Sequence, residues 1–286
     1  MNIVSPEEYN GLVSEYTLQM KGYKEALMKI GMIGAGTMAK VVANYIKERN
    51  EQGEQISCLG MAELLGGGSI DEAFKEVPEV LIDFSNPANI EKTCGYAKEH
   101  GIPAVIATTG CSEDDEATIR KAAETVPIVY SANYSLGITV IEKAVEEMTR
   151  TLAGAFDIEI IEQHHRRKLD APSGTALLLA RAVQRGGIAA DENGSGNGIQ
   201  YEFTYGRYGS SLRRKEEIGV HAVRGGGIVG EHTVLFAGDE EVIEIRHHAQ
   251  SKRIFAVGAL KAAKFALSKE AGLYQMKDVL WTQEQS

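Results

Sequence analysis

The chain has 286 residues, 43% of them hydrophobic, and carries 30 Lys and Arg against 40 Asp and Glu for a formal net charge of -10. That length supports one large domain or two ordinary ones, each with its own core, and the acidic balance gives no general support to a nucleic-acid footprint or a polybasic membrane surface. No run reaches the ~18 consecutive apolar residues of a membrane span, and the N-terminus lacks the basic-then-apolar order of a secretory signal, so a cytoplasmic protein is expected.

Residues 1–28 are polar with scattered Tyr, Leu and Val, an N-terminal extension with room for one helix. From Lys29 short apolar runs alternate with helical patterns. KIGMIG, QISCLGM, VLIDFS, PAVIATTG and PIVYSAN read as strands, and MAKVVANYIKERN as a helix, because Met38, Val41, Val42, Tyr45 and Ile46 share one face. Strand and helix alternating over short connections predict a doubly wound parallel sheet covered on both faces. Three cysteines, Cys58, Cys94 and Cys111, lack the spacing of a zinc site or a redox pair and read as buried free thiols, with no metal expected.

After ITVIEKAVEEMTRTLAG the pattern changes. The strand FDIEIIEQ, the helix SGTALLLARAVQR, a Gly-rich loop at 192–198, the strand IGVHAV and the hairpin HTVLFAGDEEVIEIRHH, turning at Gly238-Asp239, predict an α+β region with antiparallel or mixed strands. RIFAVGALKAAKFALSK returns to an amphipathic helix that packs on the first domain. The expected class is α/β: a doubly wound parallel-sheet domain from 29–133 and 253–286, with an inserted α+β domain over 134–252.

GAGTMA places Gly34-x-Gly36-x-x-Ala39 directly after a strand and at the opening of a helix. Gly34 allows the tight turn, Gly36 leaves room for a pyrophosphate, and a small residue at 39 lets helix and strand approach. The phosphates would meet the free N–H groups and positive dipole end of the helix. A Gly-rich turn without a ligand is the competing reading, and the strand-turn-helix context weighs against it. An acid for the ribose is expected about 20 residues on; the nearest is Glu63, with no adjacent Arg for a 2′-phosphate, so NADH and NADPH both stay open.

The segment EQHHRRKLDAPSGTA lies between the strand ending at His164 and a helix announced by Pro172 and Ser173. Gly174 and Thr175 fall in the first helical turn, where backbone N–H groups receive a carboxylate or phosphate readily. His164, His165, Arg166, Arg167 and Lys168 add cationic or hydrogen-bonding side chains, so an anionic, carboxylate-bearing substrate is the natural match. A histidine gives or takes protons near neutral pH, and a lysine among cations can serve as an acid. A basic run is ordinarily a solvated surface, but doubled His beside Lys, Asp-Ala-Pro and a helix start is not a generic solvated composition.

These residues resemble the signature of the 4-hydroxy-tetrahydrodipicolinate reductase family, the dihydrodipicolinate reductases of the bacterial and plant diaminopimelate route to lysine. The likeness continues through KIGMIGAGTMAK, LIDFSNP, ATTGCS, VYSANYSLGI, EIGVHAVRGGGIVGEHTVLFA, FAVGALKAAKF and GLYQMKDVL, in the family's order. It implies a Rossmann-like domain with an inserted substrate domain, assembly as a homotetramer through a large mixed sheet, and no nucleic-acid or membrane partner. By motif position it implies His164 as general acid/base and Lys168 as proton donor, with His165, Gly174 and Thr175 holding the carboxylates of a cyclic dicarboxylate. It implies that Gly34, Ala35, Gly36, Thr37 and Met38 line the nicotinamide cofactor with Phe84, with Ala107, Thr108 and Thr109, and with Ser131, Ala132, Asn133 and Tyr134. The implied reaction converts 4-hydroxy-tetrahydrodipicolinate and NADPH or NADH to tetrahydrodipicolinate, oxidised nucleotide and water. Three departures bear on the cofactor: Ala39 closes the glycine fingerprint, the loop is shorter than the Gly-rich form common in the family, and Asn86 stands where some relatives carry a basic residue. A paralogue acting on a related cyclic imine carboxylate and a non-catalytic NAD(P)-sensing protein are the alternatives, and the pairing of His164 with Lys168 argues against a sensor.

Overall fold

Residues 27–192 and 198–281 are described by the computed structural model. Residues 1–26 of the expected extension and 193–197 of the Gly-rich loop lie outside them. The first half runs β1 (Met28–Ile33), α1 (Thr37–Glu51), β2 (Ile56–Ala62), α2 (Ile70–Ala73), β3 (Val80–Asp83), α3 (Ile90–His100), β4 (Ala104–Ile106), α4 (Glu113–Ala123) and β5 (Pro127–Tyr130). Then come α5 (Leu136–Leu152), β6 (Asp157–His164), α6 (Gly174–Glu192), β7 (Glu202–Tyr205), β8 (Glu217–Arg224), β9 (Glu231–Ala237) and β10 (Val242–His248). The chain closes with α7 (Arg253–Ala266), β11 (Gly272–Tyr274) and α8 (Met276–Trp281).

One sheet has the order β11-β5-β4-β3-β1-β2, with every pairing parallel. Successive strand residues point to opposite faces: Ile82, Val105 and Val129 enter a core with α1 and α7, while Leu81, Ile106 and Ile128 enter another with α3 and α4. A strand covered on both sides is apolar throughout, which is why the sequence shows continuous runs there. The strand order reverses between β1 and β3, and the crevice outside the carboxyl ends at such a switch point is where open α/β sheets take their ligands.

The second sheet has the order β10-β9-β6-β8-β7. β6, β8 and β7 run parallel, and β9 is antiparallel to β6 and β10. Its inner face contributes Ile158, Ile160, Val220, Val234 and Phe236 to a third core that takes Ala176, Leu179, Ala180 and Val183 from α6. The chain then returns to the first sheet, where Ala256, Ala259, Ala263 and Ala266 of α7 pack closely.

Three details differ from the sequence reading. The hairpin between β9 and β10 turns through four residues, 238–241, closed by the Gly238 N–H donating to the Glu241 carbonyl at 2.9 Å. β1 starts at Met28, whose N–H donates to Gln55 O at 2.9 Å. Of the three free thiols only Cys94 is buried; Cys58 lies on β2, the edge strand, and Cys111 in the loop after β4. Among the described residues no helix is long and apolar enough to cross a membrane.

Candidate active site

The first cluster of expected site residues lies along the carboxyl edge of β1, β3, β4 and β5. Gly34, directly after β1, has φ +98°, which an L side chain rarely adopts, and an added Cβ would stand 2.8 Å from the Phe84 carbonyl. Gly36, the N-cap of α1, has φ -72° and open space around the site of a Cβ. The fold therefore does not require glycine at 36, and the open space leaves room for a ligand against the backbone. α1 also opens without a side-chain cap and without an acid in its first turn. α4, by contrast, has a full capping box between Ser112 and Asp115. A bare helix start with a cradle that a Cβ would fill fits a dinucleotide pyrophosphate. Glu63 is the first residue beyond β2, the strand beside β1.

Asp83 ends β3, completely buried, and organises the neighbouring loops. Its carboxylate accepts from the Ser85 N–H at 2.9 Å and from the hydroxyls of Ser85 (2.6 Å), Thr93 (2.6 Å) and Thr108 (2.8 Å). Its carbonyl accepts from the Ala107 N–H at 2.8 Å. Burial pushes the Asp83 carboxyl above its usual range, against these hydrogen bonds. The network fixes Phe84, Ala107 and Thr108 relative to Gly34, while Thr109 stays exposed. Beyond β5, Ala132 is exposed, and Ser131 donates its hydroxyl to Asn133 O at 3.0 Å. Tyr134 is buried, with its hydroxyl within 3.0 Å of Ile106 O and 2.8 Å of Val129 O, so its side chain belongs to the core.

The second cluster forms where β6 delivers His164 to the loop before α6. β6 alternates exposed or half-buried residues with buried Ile158, Ile160, Glu162 and His164. The His164 ring places Nδ1 2.6 Å from Glu162 Oε2. Arg224, paired with His164 across the parallel ladder, donates to both Glu162 oxygens at 2.7 Å. The Ser173 N–H donates to Glu162 Oε1 at 3.0 Å, and the Ser173 hydroxyl accepts from Ala176 N–H at 3.2 Å, capping α6 behind Gly174 and Thr175. His232 Nε2 lies 3.0 Å from Ser173 Oγ, and its ring meets His164 edge-on at 5.2 Å between centroids. Lys168 is half-buried with its ammonium 2.8 Å from Asp170. Among the described residues His165 Nδ1 is buried without a hydrogen-bond partner.

The electrostatics follow from these contacts. Burial alone would push the Glu162 carboxyl up, but hydrogen bonds from Arg224, His164 and the Ser173 N–H hold it below the usual range. Burial lowers His164 despite Glu162, with Lys168 and Arg224 adding to the fall, which favours the neutral ring. Burial and the neighbouring His164 push His232 down to about 3.

One hydrogen bond joins the two clusters. Asn133, from the cofactor edge, donates Nδ2–H to Thr175 Oγ1 at 2.8 Å while its Oδ1 accepts from Ser135 N–H at 2.7 Å. The structure thus brings His164, Lys168, Gly174, Thr175 and Asn133 into one neighbourhood. Arg166 and Arg167 are exposed. The sequence reading missed Asp83, Arg224 and His232, took Ser173 only as part of the helix start, and took Glu162 only as part of a strand. A usable signal was the polar pair Glu162 and His164 continuing the buried period-two stripe of Ile158 and Ile160.

A family profile described as "Dihydrodipicolinate reductase, N-terminus" matches residues 28–134, and one described as "Dihydrodipicolinate reductase, C-terminus" matches residues 137–280. The chain belongs to the dihydrodipicolinate reductase family. Among similar family members, the 4-hydroxy-tetrahydrodipicolinate reductase of Caldanaerobacter subterraneus subsp. tengcongensis is 45% identical over 249 residues, 86% of this chain and 94% of its own. That of Clostridium tetani is 37% identical over 262 residues, 89% of this chain and 97% of its own. A solved family structure, the dipicolinate-bound dihydrodipicolinate reductase from Paenisporosarcina sp. TG-14, shares the fold at a TM-score of 0.63 and 19% identity, covering 87% of this chain and 97% of that one. The two family profiles meet between β5 and α5, where the chain passes from one sheet to the other.

Proposed function

We infer that the protein reduces 4-hydroxy-tetrahydrodipicolinate to tetrahydrodipicolinate with loss of water, in diaminopimelate and lysine biosynthesis, using NADH or NADPH. Membership of the reductase family supports the reaction, and one geometric observation carries it to this chain: the Asn133–Thr175 hydrogen bond sets the dinucleotide edge against the carboxylate-receiving start of α6. In this reading residues 29–133 and 253–286 form the cofactor-binding domain and 134–252 the substrate-binding and oligomerisation domain.

Gly34, Ala35, Gly36, Thr37 and Met38 would hold the pyrophosphate, with Phe84, Ala107 to Thr109 and Ser131 to Tyr134 around the nicotinamide. When bound, that group supplies the hydride. Thr175 accepts from Asn133, which leaves its own hydroxyl hydrogen free for a substrate carboxylate. The Gly174 and Thr175 N–H groups and His165 complete that seat. His164 serves as general acid/base through Nε2, and Lys168, held by Asp170, protonates the position where negative charge develops. Three free cysteines fit a reducing compartment, and we assign the protein to the cytoplasm. We assign assembly as a homotetramer through the second sheet, as the resemblance to the family implies.

An assay of NADH and NADPH oxidation with freshly generated 4-hydroxy-tetrahydrodipicolinate tests the reading. Turnover with at least one nucleotide is expected. Turnover only with another cyclic imine carboxylate would transfer the activity to a paralogous reaction, and nucleotide binding without turnover of either would make the protein a sensor.

A further inference from the structure

Glu162 is an acid in a position where the strand pattern calls for an apolar residue. It is completely buried, following Ile158 and Ile160 on the inner stripe of β6. A buried carboxylate persists only when its acceptor sites are filled, and here each oxygen takes two donors. Oε2 accepts from His164 Nδ1 at 2.6 Å and Arg224 Nη1 at 2.7 Å; Oε1 accepts from Arg224 Nη2 at 2.7 Å and the Ser173 N–H at 3.0 Å. These donors belong to three separate parts of the site.

We propose that Glu162 is the positioning residue of the proton-handling centre, fixing the His164 proton on Nδ1 so that Nε2 faces the reacting ring, and holding the α6 start that receives the substrate carboxylate. The inference rests on the reductase reading for its substrate, while its geometry stands independently. An ionised carboxylate is an acceptor only, so the hydrogen between it and the imidazole sits on Nδ1. Nε2 is kept approachable by Gly230, where an added Cβ would stand 3.0 Å away. Arg224 locks the carboxylate in a two-pronged grip and donates to Asp170 O at 2.6 Å, which ties the grip to the loop carrying Lys168. Through the Ser173 N–H the same carboxylate sets where Gly174 and Thr175 begin α6.

The charged and titratable groups facing His164 are Glu162 on its own strand, Arg224 from β8, His232 from β9 and Lys168 from the loop. His232 is neutral, and Arg224 and Lys168 both disfavour an imidazolium, so Glu162 is the one group in this set that raises the His164 pKa. Removing its charge therefore moves His164 titration to lower pH. A residue that merely filled space would not do this.

The test begins with the unaltered protein carrying ¹⁵N-labelled histidine, with His164 assigned by comparison with His164→Asn. Nδ1 protonated and Nε2 bare near neutral pH is expected; the opposite tautomer overturns the proposal. Glu162→Gln is expected to lower kcat on the order of 10²-fold, move the His164-reporting limb of kcat/KM to lower pH, and leave nicotinamide-nucleotide affinity unchanged. If the single variant fails to fold, Glu162→Gln with Arg224→Gln removes both buried charges together and is expected to show the same slow turnover, with the limb displaced less because Arg224 itself disfavours the imidazolium. Glu162→Asp, which retains the charge, is expected to restore the limb toward its original position. A folded single variant with unaltered kcat and limb, or a folded double variant with unaltered kcat, overturns the proposal. If the unaltered protein does not reduce the substrate, the reductase reading fails, and the tautomer and the imidazole titration still decide the role of Glu162.

Discussion

Asp83 and Glu162 are both fully buried carboxylates at or near the carboxyl end of a strand, one in each sheet, and their partners differ in kind. Asp83 is met by three hydroxyls and a backbone N–H, and burial pushes it up. Glu162 is met by a guanidinium, an imidazole and a backbone N–H, which outweigh burial and hold it down. On the proposed reading the first network shapes backbone for a ligand recognised by N–H groups, and the second arranges charge for proton transfer. A buried acid thus serves as scaffold or as electrostatic control according to whether cations reach it.

The largest expected effect lies at the charged end: Lys168→Ala should lower kcat on the order of 10²-fold or more with nucleotide binding retained. Steady-state kinetics showing near-unaltered kcat would remove Lys168 from proton donation. At the other end, two glycines separate fold from ligand. Gly36→Ala should weaken nucleotide binding about tenfold, roughly 1.4 kcal/mol, with Tm unchanged, because its Cβ meets open space. Gly34→Ala should cost about 1–3 kcal/mol of stability, because of its positive φ and the close Phe84 carbonyl. Titration and thermal melts giving the reverse assignment would break the distinction.

A smaller effect compares the acids by the pH dependence of unfolding. The folded-state pKa of Glu162 is depressed, so its contribution is present above the unfolded value and disappears as pH falls through the folded one. That of Asp83 is raised, so its contribution is present below the unfolded value and disappears as pH rises through the folded one. Glu162→Gln should therefore lose stability at neutral pH and converge on the unaltered protein in acid. Asp83→Asn should lose little or gain at neutral pH. Denaturant melts at both pH values showing equal neutral-pH losses would contradict the contrast.

How much the sequence discloses follows the same division. The parallel sheet is legible because strands buried on both faces are continuous apolar runs, and the α1 loop is legible because backbone motifs are local. β4 and β11, three residues each, carry too little pattern to define their ends. At the charged site, His164, Lys168 and Thr175 stand within one loop and helix start, so one segment reveals them. Arg224 and His232 do not announce themselves, since they arrive on strands about sixty residues later and acquire meaning only through pairing with β6. Asp83 stands inside VLIDFS, and its role depends on hydroxyls from Thr93 and Thr108 that only folding supplies.

On the proposed reading the two ends act on one substrate in a single hydride transfer. Reduced nucleotide deuterated at either face of nicotinamide C4, supplied with 4-hydroxy-tetrahydrodipicolinate, tests it directly by mass spectrometry of the product. One deuterium on a ring carbon of tetrahydrodipicolinate is expected from one of the two labelled faces. Product free of deuterium from both faces would contradict it.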